Sequence, residues 1–272
     1  YIMETKKIRR EFSPDWDIPE FRIEFWNGKQ RDYCIIIPVI NEGKRIRQFV
    51  SRLKQNKIYD LADIIIIDGG SIDGSLNIDF LSSNGIAGLI TKTDSGKLGS
   101  QLRIGYSFSL AINYKGIITI DGNNKDDPST IPKFIELLQQ GYDFIQASRY
   151  IKGGKAQNTP IARDLAIRLI HSPLLSLFSG FNWTDTTQGY RGYSKKLLQN
   201  KKLSVFRSIF KNYELLAYIS AAAPPNGFKC IETPTCRSYP SDNIPTKISS
   251  FRGNIEVFIT LLKACLGIYS TK

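Results

Sequence analysis

Ile64-Ile65-Ile66-Ile67-Asp68-Gly69-Gly70-Ser71-Ile72-Asp73-Gly74-Ser75 and Ile117-Ile118-Thr119-Ile120-Asp121-Gly122-Asn123 each end an apolar run on an acidic residue followed at once by glycine. A β-branched run without polar alternation suits a strand covered on both faces, as in a parallel sheet flanked by helices. Ligands in such sheets bind beyond the carboxyl ends of the strands, where Asp68 and Asp121 fall.

Outward from these two stretches the pattern alternates. Strands are expected at 33–39, 63–67, 86–90, 116–120 and 143–147, with helices at 43–55, from about 75, at 97–113 and at 130–140. Strands interleaved with helices of this length imply βαβ crossovers and an α/β fold with a mainly parallel, Rossmann-like sheet. Helix 97–113 keeps Leu98, Leu102, Tyr106, Ser109 and Leu110 near one face, the period of a packing helix. After Tyr150 come an amphipathic stretch at 160–181, a loop with Asp185 and Gly189, a helix at 211–222, a strand-like Lys229 to Arg237 and a last helix near 253–268. Residues 1–32 read as an N-terminal extension with one edge element, and 33–272 as a single domain without a long linker or repeat.

The 272 residues are 42% apolar and 11% aromatic, enough for a packed core and unlike a disordered chain. A bilayer span needs about 18 uninterrupted apolar residues. The best stretches, 161–181 and 257–268, are broken by Arg163, Asp164, Arg168, His171 and Lys263. The N-terminus lacks the apolar core of a signal peptide, so a cytoplasmic location is expected. Cys34, Cys230, Cys236 and Cys265 have no metal-site spacing and are read as reduced and structural. A net charge of +12 favours an acidic partner. No aromatic-basic module or zinc pattern points to nucleic acid, which is excluded as a partner.

In Pro38-Val39-Ile40-Asn41-Glu42-Gly43 proline interrupts ladder pairing, and Asn41, Glu42 and Gly43 open a helix, either as simple caps or facing the same crevice as Asp68. The segment 68–75 has neither the G-x-G-x-x-G spacing of a dinucleotide site nor the Gly-Lys-Ser/Thr of a P-loop, which argues against oxidoreductases and NTPases. Asp68 can bond a ribose or a base edge, while Asp73-Gly74-Ser75 reads as turn chemistry. In Asp121-Gly122-Asn123 two oxygen donors flank a glycine that allows close approach of a ligand. Such donors suit Mg2+ or Mn2+ holding a diphosphate, against the plainer reading of an Asp-Gly turn.

Taken in order, Pro38-Val39-Ile40-Asn41-Glu42, Asp68 to Ser75, Asp121-Gly122-Asn123, Ser148-Arg149-Tyr150-Ile151-Lys152-Gly153-Gly154 and Gln188-Gly189-Tyr190-Arg191 resemble the family-2 nucleotide-sugar glycosyltransferases of the GT-A fold. The nearest branch is that of the dolichyl- and polyprenyl-phosphate sugar synthases, and the resemblance covers about residues 33–265. It implies a nucleotide-sugar half at 33–123 and an acceptor half at 124–272. Pro38, Asn41, Glu42, Asp68, Lys97 and Gly122 would then bind the donor, a UDP- or GDP-linked sugar. Asp121 and Asn123 would hold the metal and diphosphate, and Arg149, Arg163 and Arg191 would lie near the acceptor. The chain departs from the family pattern at Asn123, where a second Asp is usual, at Lys125 in place of Gln, and at Ile167 in place of Ser. A neutral ligand and a nearby ammonium predict weaker cation binding.

The resemblance implies an inverting transfer to a polyprenyl phosphate at the cytoplasmic membrane face. An anionic phosphate acceptor needs only guanidinium clamps such as Arg149 and Arg163. A saccharide hydroxyl acceptor, as in cell-surface polysaccharide synthesis, needs a carboxylate base, for which Asp185 and Glu214 are the candidates. The remaining alternative is a catalytically poor nucleotide-sugar binding protein. His171 reads as a packed residue. The stretch 161–181, apolar with Arg163, Arg168 and His171, can lie on an anionic membrane surface or cover the core. Pro245 to Ser249 and the C-terminal helix resemble segments that cover the active site in this family.

Overall fold

A computed structural model describes residues 2–240 and 251–271, with side chains described from residue 4 and, in the last segment, from residue 255. Pro245 to Ser249 therefore lies outside the described residues.

The chain opens with α1 (Ile2–Arg9) and β1 (Phe21–Trp26), then β2 (Tyr33–Val39), α2 (Lys44–Gln55), β3 (Asp63–Asp68), α3 (Ile78–Ser83), β4 (Ile86–Lys92), α4 (Leu98–Ala111) and β5 (Gly116–Thr119). It continues through α5 (Ile131–Gln139), β6 (Phe144–Ser148), β7 (Lys155–Gln157), α6 (Ile161–Ala166), a π-helical turn (Ile167–His171) and α7 (Ser172–Ser179). The last elements are β8 (Arg191–Ser194), α8 (Lys195–Leu198), α9 (Glu214–Ala222), β9 (Cys230–Pro234), β10 (Cys236–Ser238) and α10 (Phe251–Cys265).

Eight strands form one sheet in the order β1-β4-β3-β2-β5-β8-β6-β9, with β1 and β8 antiparallel to their neighbours and the other pairings parallel. The α/β, mainly parallel expectation is met. Every residue of β3 is buried because helices cover both faces, the physical basis of the uninterrupted isoleucines. Beneath one face α2 presents Ile46, Phe49, Val50 and Leu53 at helical spacing. The chain runs from β2 out through β3 and β4, then returns to place β5 on the other side of β2. The topological switch point thus lies between β2 and β5, with Pro38 to Gly43 on one flank and Asp121 to Asn123 on the other.

Three features differ from the sequence reading. Helix α4 is buried all round from Gly99 to Leu110, because Ile8, Phe12, Trp16, Ile18 and Phe21 from the first 32 residues pack in the same core cluster. Arg103 of α4 donates to the Asp17 carbonyl, tying that segment down. Strand β8, Arg191-Gly192-Tyr193-Ser194, is not among the expected strands; its glycine and two polar residues give no strand pattern, yet it pairs on both sides. The strand-like Lys229 to Arg237 breaks at Thr235, after which β10 leaves the sheet to pair with β7.

Candidate active site

Pro38 sits inside β2, in register with Ile67, rather than ending it. Ile36 accepts from the Ile120 N–H, so residues of its parity, Pro38 included, turn their backbone nitrogen toward β5. That ladder ends at Ile36 and Thr119, and the missing proline N–H falls where no partner is required. Gln101 then ties the strand ends together, its Nε2 donating to the carbonyls of Val39 at 2.9 Å and Ile67 at 2.7 Å.

Asn41 has φ +48° and bridges to the Asp68 loop: its N–H donates to Ser71 Oγ at 3.0 Å and its Oδ1 accepts from Ile72 N–H at 2.9 Å. Gly43, at φ +56°, caps α2 and donates to Asp73 Oδ2 at 2.8 Å. Asp68 is buried and accepts from both the N–H and the hydroxyl of Ser71. Glu42, also buried, pairs with Arg45 at 2.8 Å. These residues come together as two laced loops, and Asp68, Ser71 and Thr91 line a cavity of about 210 Å3 at their edge. Exposed Lys97 caps α4 and donates its N–H to the Lys211 carbonyl at 2.9 Å, placing the start of that helix against 210–212.

Gly122 does not serve close approach of a ligand. A Cβ there would stand 2.7 Å from Val39 Cγ2, so the glycine lets the loop after β5 close over α2 and β2. Gly189 is the residue that yields to the site: a Cβ on it would lie 2.6 Å from Asp121 Oδ1. Thr119 holds the Gly189 carbonyl at 2.7 Å.

Asp121 and Asn123 do not form the expected metal pair. The Oδ2 of Asp121 lies 3.4 Å from Arg237 Nη2 and 3.4 Å from Asn123 Nδ2. Asn123 Oδ1 accepts from the Lys125 N–H at 3.2 Å, which turns its amide NH2, not its oxygen, toward Asp121. Among the described residues there is no cluster of three or more His, Cys, Asp or Glu able to hold a metal. A divalent cation seeks about six oxygen donors. Here it would meet one carboxylate, an amide NH2 and a guanidinium, and the residues present do not fit it.

What gathers beside Asp121 instead is positive charge. Lys125 Nζ lies 4.7 Å from the centre of the Tyr239 ring, and the Arg237 and Arg163 guanidinium carbons lie 5.8 and 6.0 Å from it. Arg163 donates to the Tyr239 hydroxyl at 3.1 Å. Burial and the neighbouring Arg237 lower the Lys125 ammonium to about 8. Burial alone would raise the Tyr239 phenol, but Arg237 and Arg163 outweigh it and bring it to about 8. Arg237 is also paired with buried Asp126. Sequence reasoning misses both Arg237 and Tyr239; the one available signal is an arginine closing the strand-like run from Lys229.

The acceptor-side residues divide. Arg149 and Asp185 form a buried bidentate pair, Nε to Oδ2 at 2.7 Å and Nη2 to Oδ1 at 2.9 Å, with side chains 1% and 0% exposed. Thr187 and Gln188 complete the arrangement, and Glu232 receives the N–H groups of Thr184 and Asp185. Asp185 is therefore the counterion of Arg149 and is not placed as a base. Arg149 Nη1 is buried with no hydrogen-bond partner among the described residues. Arg191 does not reach the acceptor side: it is wholly buried and donates to the carbonyls of Gln188, Leu216 and Thr186 at 2.9, 2.7 and 3.1 Å. It fastens the 185–191 loop to α9. Glu214, the first residue of α9, accepts from the Asn212 N–H just ahead of the helix.

The chain is similar to known proteins in sequence and in fold. The chain is 26% identical over 203 residues to a polyprenol monophosphomannose synthase of Mycolicibacterium smegmatis, covering 74% of this chain and 75% of that protein. It is 25% identical to an undecaprenyl-phosphate mannosyltransferase of Micrococcus luteus, covering 73% and 80%. Glucosyl-3-phosphoglycerate synthase of Mycobacterium tuberculosis, solved with UDP, shares the fold with a TM-score of 0.56 at 16% identity over 92% of this chain and 88% of that one. A further structure of that synthase contains Mn2+, UDP and glucosyl-3-phosphoglycerate. The sequence model of glycosyl transferase family 2 matches residues 34–200, which carry the Pro38, Asp68, Asp121, Arg149 and Arg191 motifs, and the chain belongs to that family and is a glycosyltransferase.

Proposed function

We propose that the protein transfers a sugar, with inversion, from a nucleoside-diphosphate sugar to a polyprenyl phosphate. The observation that carries this reading is the engagement of both candidate bases. Asp185 is locked to Arg149, and Glu214 accepts the Asn212 N–H. A phosphate acceptor is already anionic and requires no base, whereas a saccharide hydroxyl does. The named activities of the two mannosyl-transferring relatives support the same choice.

In this reading Asn41, Glu42 and Asp68 frame the nucleoside beside the switch point, and the diphosphate lies toward Asp121. An acceptor phosphate oxygen forms the bond to the anomeric carbon as the bond to the donor diphosphate breaks. The leaving nucleoside diphosphate gains one negative charge and the acceptor phosphate loses one. Preorganised cations on either side favour that redistribution. Arg163 supplies the acceptor side, and the buried Arg149–Asp185 pair holds the neighbouring loop in place. With radiolabelled UDP- and GDP-sugars and added polyprenyl phosphate, label passes into the organic phase, and omission of the lipid abolishes it. Label appearing only in a water-soluble saccharide would refute the lipid acceptor.

The acceptor side adjoins an apolar surface. On α6, the π turn and α7, Ile161, Leu165, Leu169 and Leu177 are exposed, and Phe258 and Ile259 of α10 continue the face. His171 packs edge-on to Phe258, and Arg163 and Arg168 lie within the stretch. Among the described residues no helix is long and apolar enough to cross a membrane. An apolar face interspersed with arginines supports peripheral contact with an anionic lipid surface at the inner face of the cell membrane. Leu169→Asp combined with Leu177→Asp lowers co-sedimentation with anionic vesicles at least about tenfold and leaves the melting temperature unchanged, since both side chains are exposed.

A further inference from the structure

We infer that Lys125 and Arg237, and not a bound divalent metal, neutralise the diphosphate of the donor. This rests on the donor reading above. Lys125, Arg163 and Arg237 surround one aromatic ring, at 4.7, 6.0 and 5.8 Å, and Arg237 pairs with the carboxylates of Asp121 and Asp126. Lys125 is 5% exposed and Arg237 7%, so these charges are poorly screened by water. Three cations gathered round one ring attract an anionic ligand.

The place of that ligand follows from the topology. The loop 121–125 leaves β5 at the switch point and carries one carboxylate and one ammonium, with no net charge of its own. Its Asn123 presents NH2 toward Asp121, a donor that suits a phosphate oxygen and opposes a metal ion. Asp121 in turn holds Arg237 at 3.4 Å on the crevice side, while Asp126 holds it from the buried side. A divalent ion at Asp121 would have to displace this guanidinium and sit beside the Lys125 ammonium. A diphosphate meets both cations directly.

The test is calorimetric titration of the full chain with UDP and with GDP, in chelator and in Mn2+. The expected result is binding of one nucleotide with the same affinity, within about twofold, in both buffers. Lys125→Gln weakens that binding at least about tenfold in chelator, and Lys125→Arg retains it, with melting temperatures showing that both variants fold. Titration with farnesyl phosphate distinguishes the acceptor's phosphate from the donor's, and Lys125→Gln leaves it unchanged. Binding that requires Mn2+ would overturn the inference and leave the donor reading standing. Unweakened nucleotide binding by Lys125→Gln, or weakened binding of farnesyl phosphate alone, would overturn the assignment of Lys125. Absence of nucleotide binding in both buffers would remove the inference and the donor reading together.

Discussion

Alanine at Asp185 lowers the unfolding free energy by about 3–5 kcal/mol, the cost of leaving a buried charge without its partner. Asp185 is the bidentate counterion of Arg149, and both side chains are sealed from water. Thr187 and Gln188 bond the same pair, so the loop from Thr184 to Arg191 is organised around it. Alanine removes the anion and strands the guanidinium in a site built for a pair. Replacing Arg149 and Asp185 together by apolar residues of similar volume costs far less, because no uncompensated charge remains. Urea denaturation of the two single variants and the double variant checks this. Single losses below about 1 kcal/mol would mean that the pair is open to water.

Asn at position 121 reduces kcat/KM by about 100- to 1000-fold with little change in stability, the scale seen when one preorganised electrostatic group is removed. Unlike Asp185, Asp121 is partly open, its side chain 25% exposed. Its carboxylate holds Arg237 on the crevice side, and asparagine keeps the shape while deleting the charge that orients the guanidinium. Asp126 still pairs with Arg237, so the fold retains a buried counterion. Steady-state kinetics beside a melting curve separates the two effects. An activity within tenfold of the parent would remove Asp121 from the catalytic machinery.

The isoleucine runs of β3 and β5 could be read because a strand buried on both faces has no polar period to confuse. Their terminal carboxylates followed directly, since strand direction fixes which end meets the crevice. Helix α4 was misread in one respect: its outer face is covered by residues near the N-terminus, and local periodicity carries no record of so distant a partner. Arg191 shows a similar limit. A motif places an arginine beside the site, but only the tertiary structure shows its nitrogens spent on three carbonyls. Gly122 packs against β2 while Gly189 opens onto Asp121 for the same reason, because which face a missing Cβ opens depends on the neighbouring strand. The cation cluster at Tyr239 was the least legible, since Arg237 meets Asp121 across 116 positions of sequence.

A crystal structure of the chain grown with UDP or GDP in chelator tests the central claim most directly. The account predicts the nucleoside beside Asn41, Glu42 and Asp68, with the diphosphate reaching across the carboxyl ends of β2 and β5 to Lys125 and Arg237. A nucleotide bound on another face of the sheet, or a diphosphate remote from Asp121, Lys125 and Arg237, would contradict it.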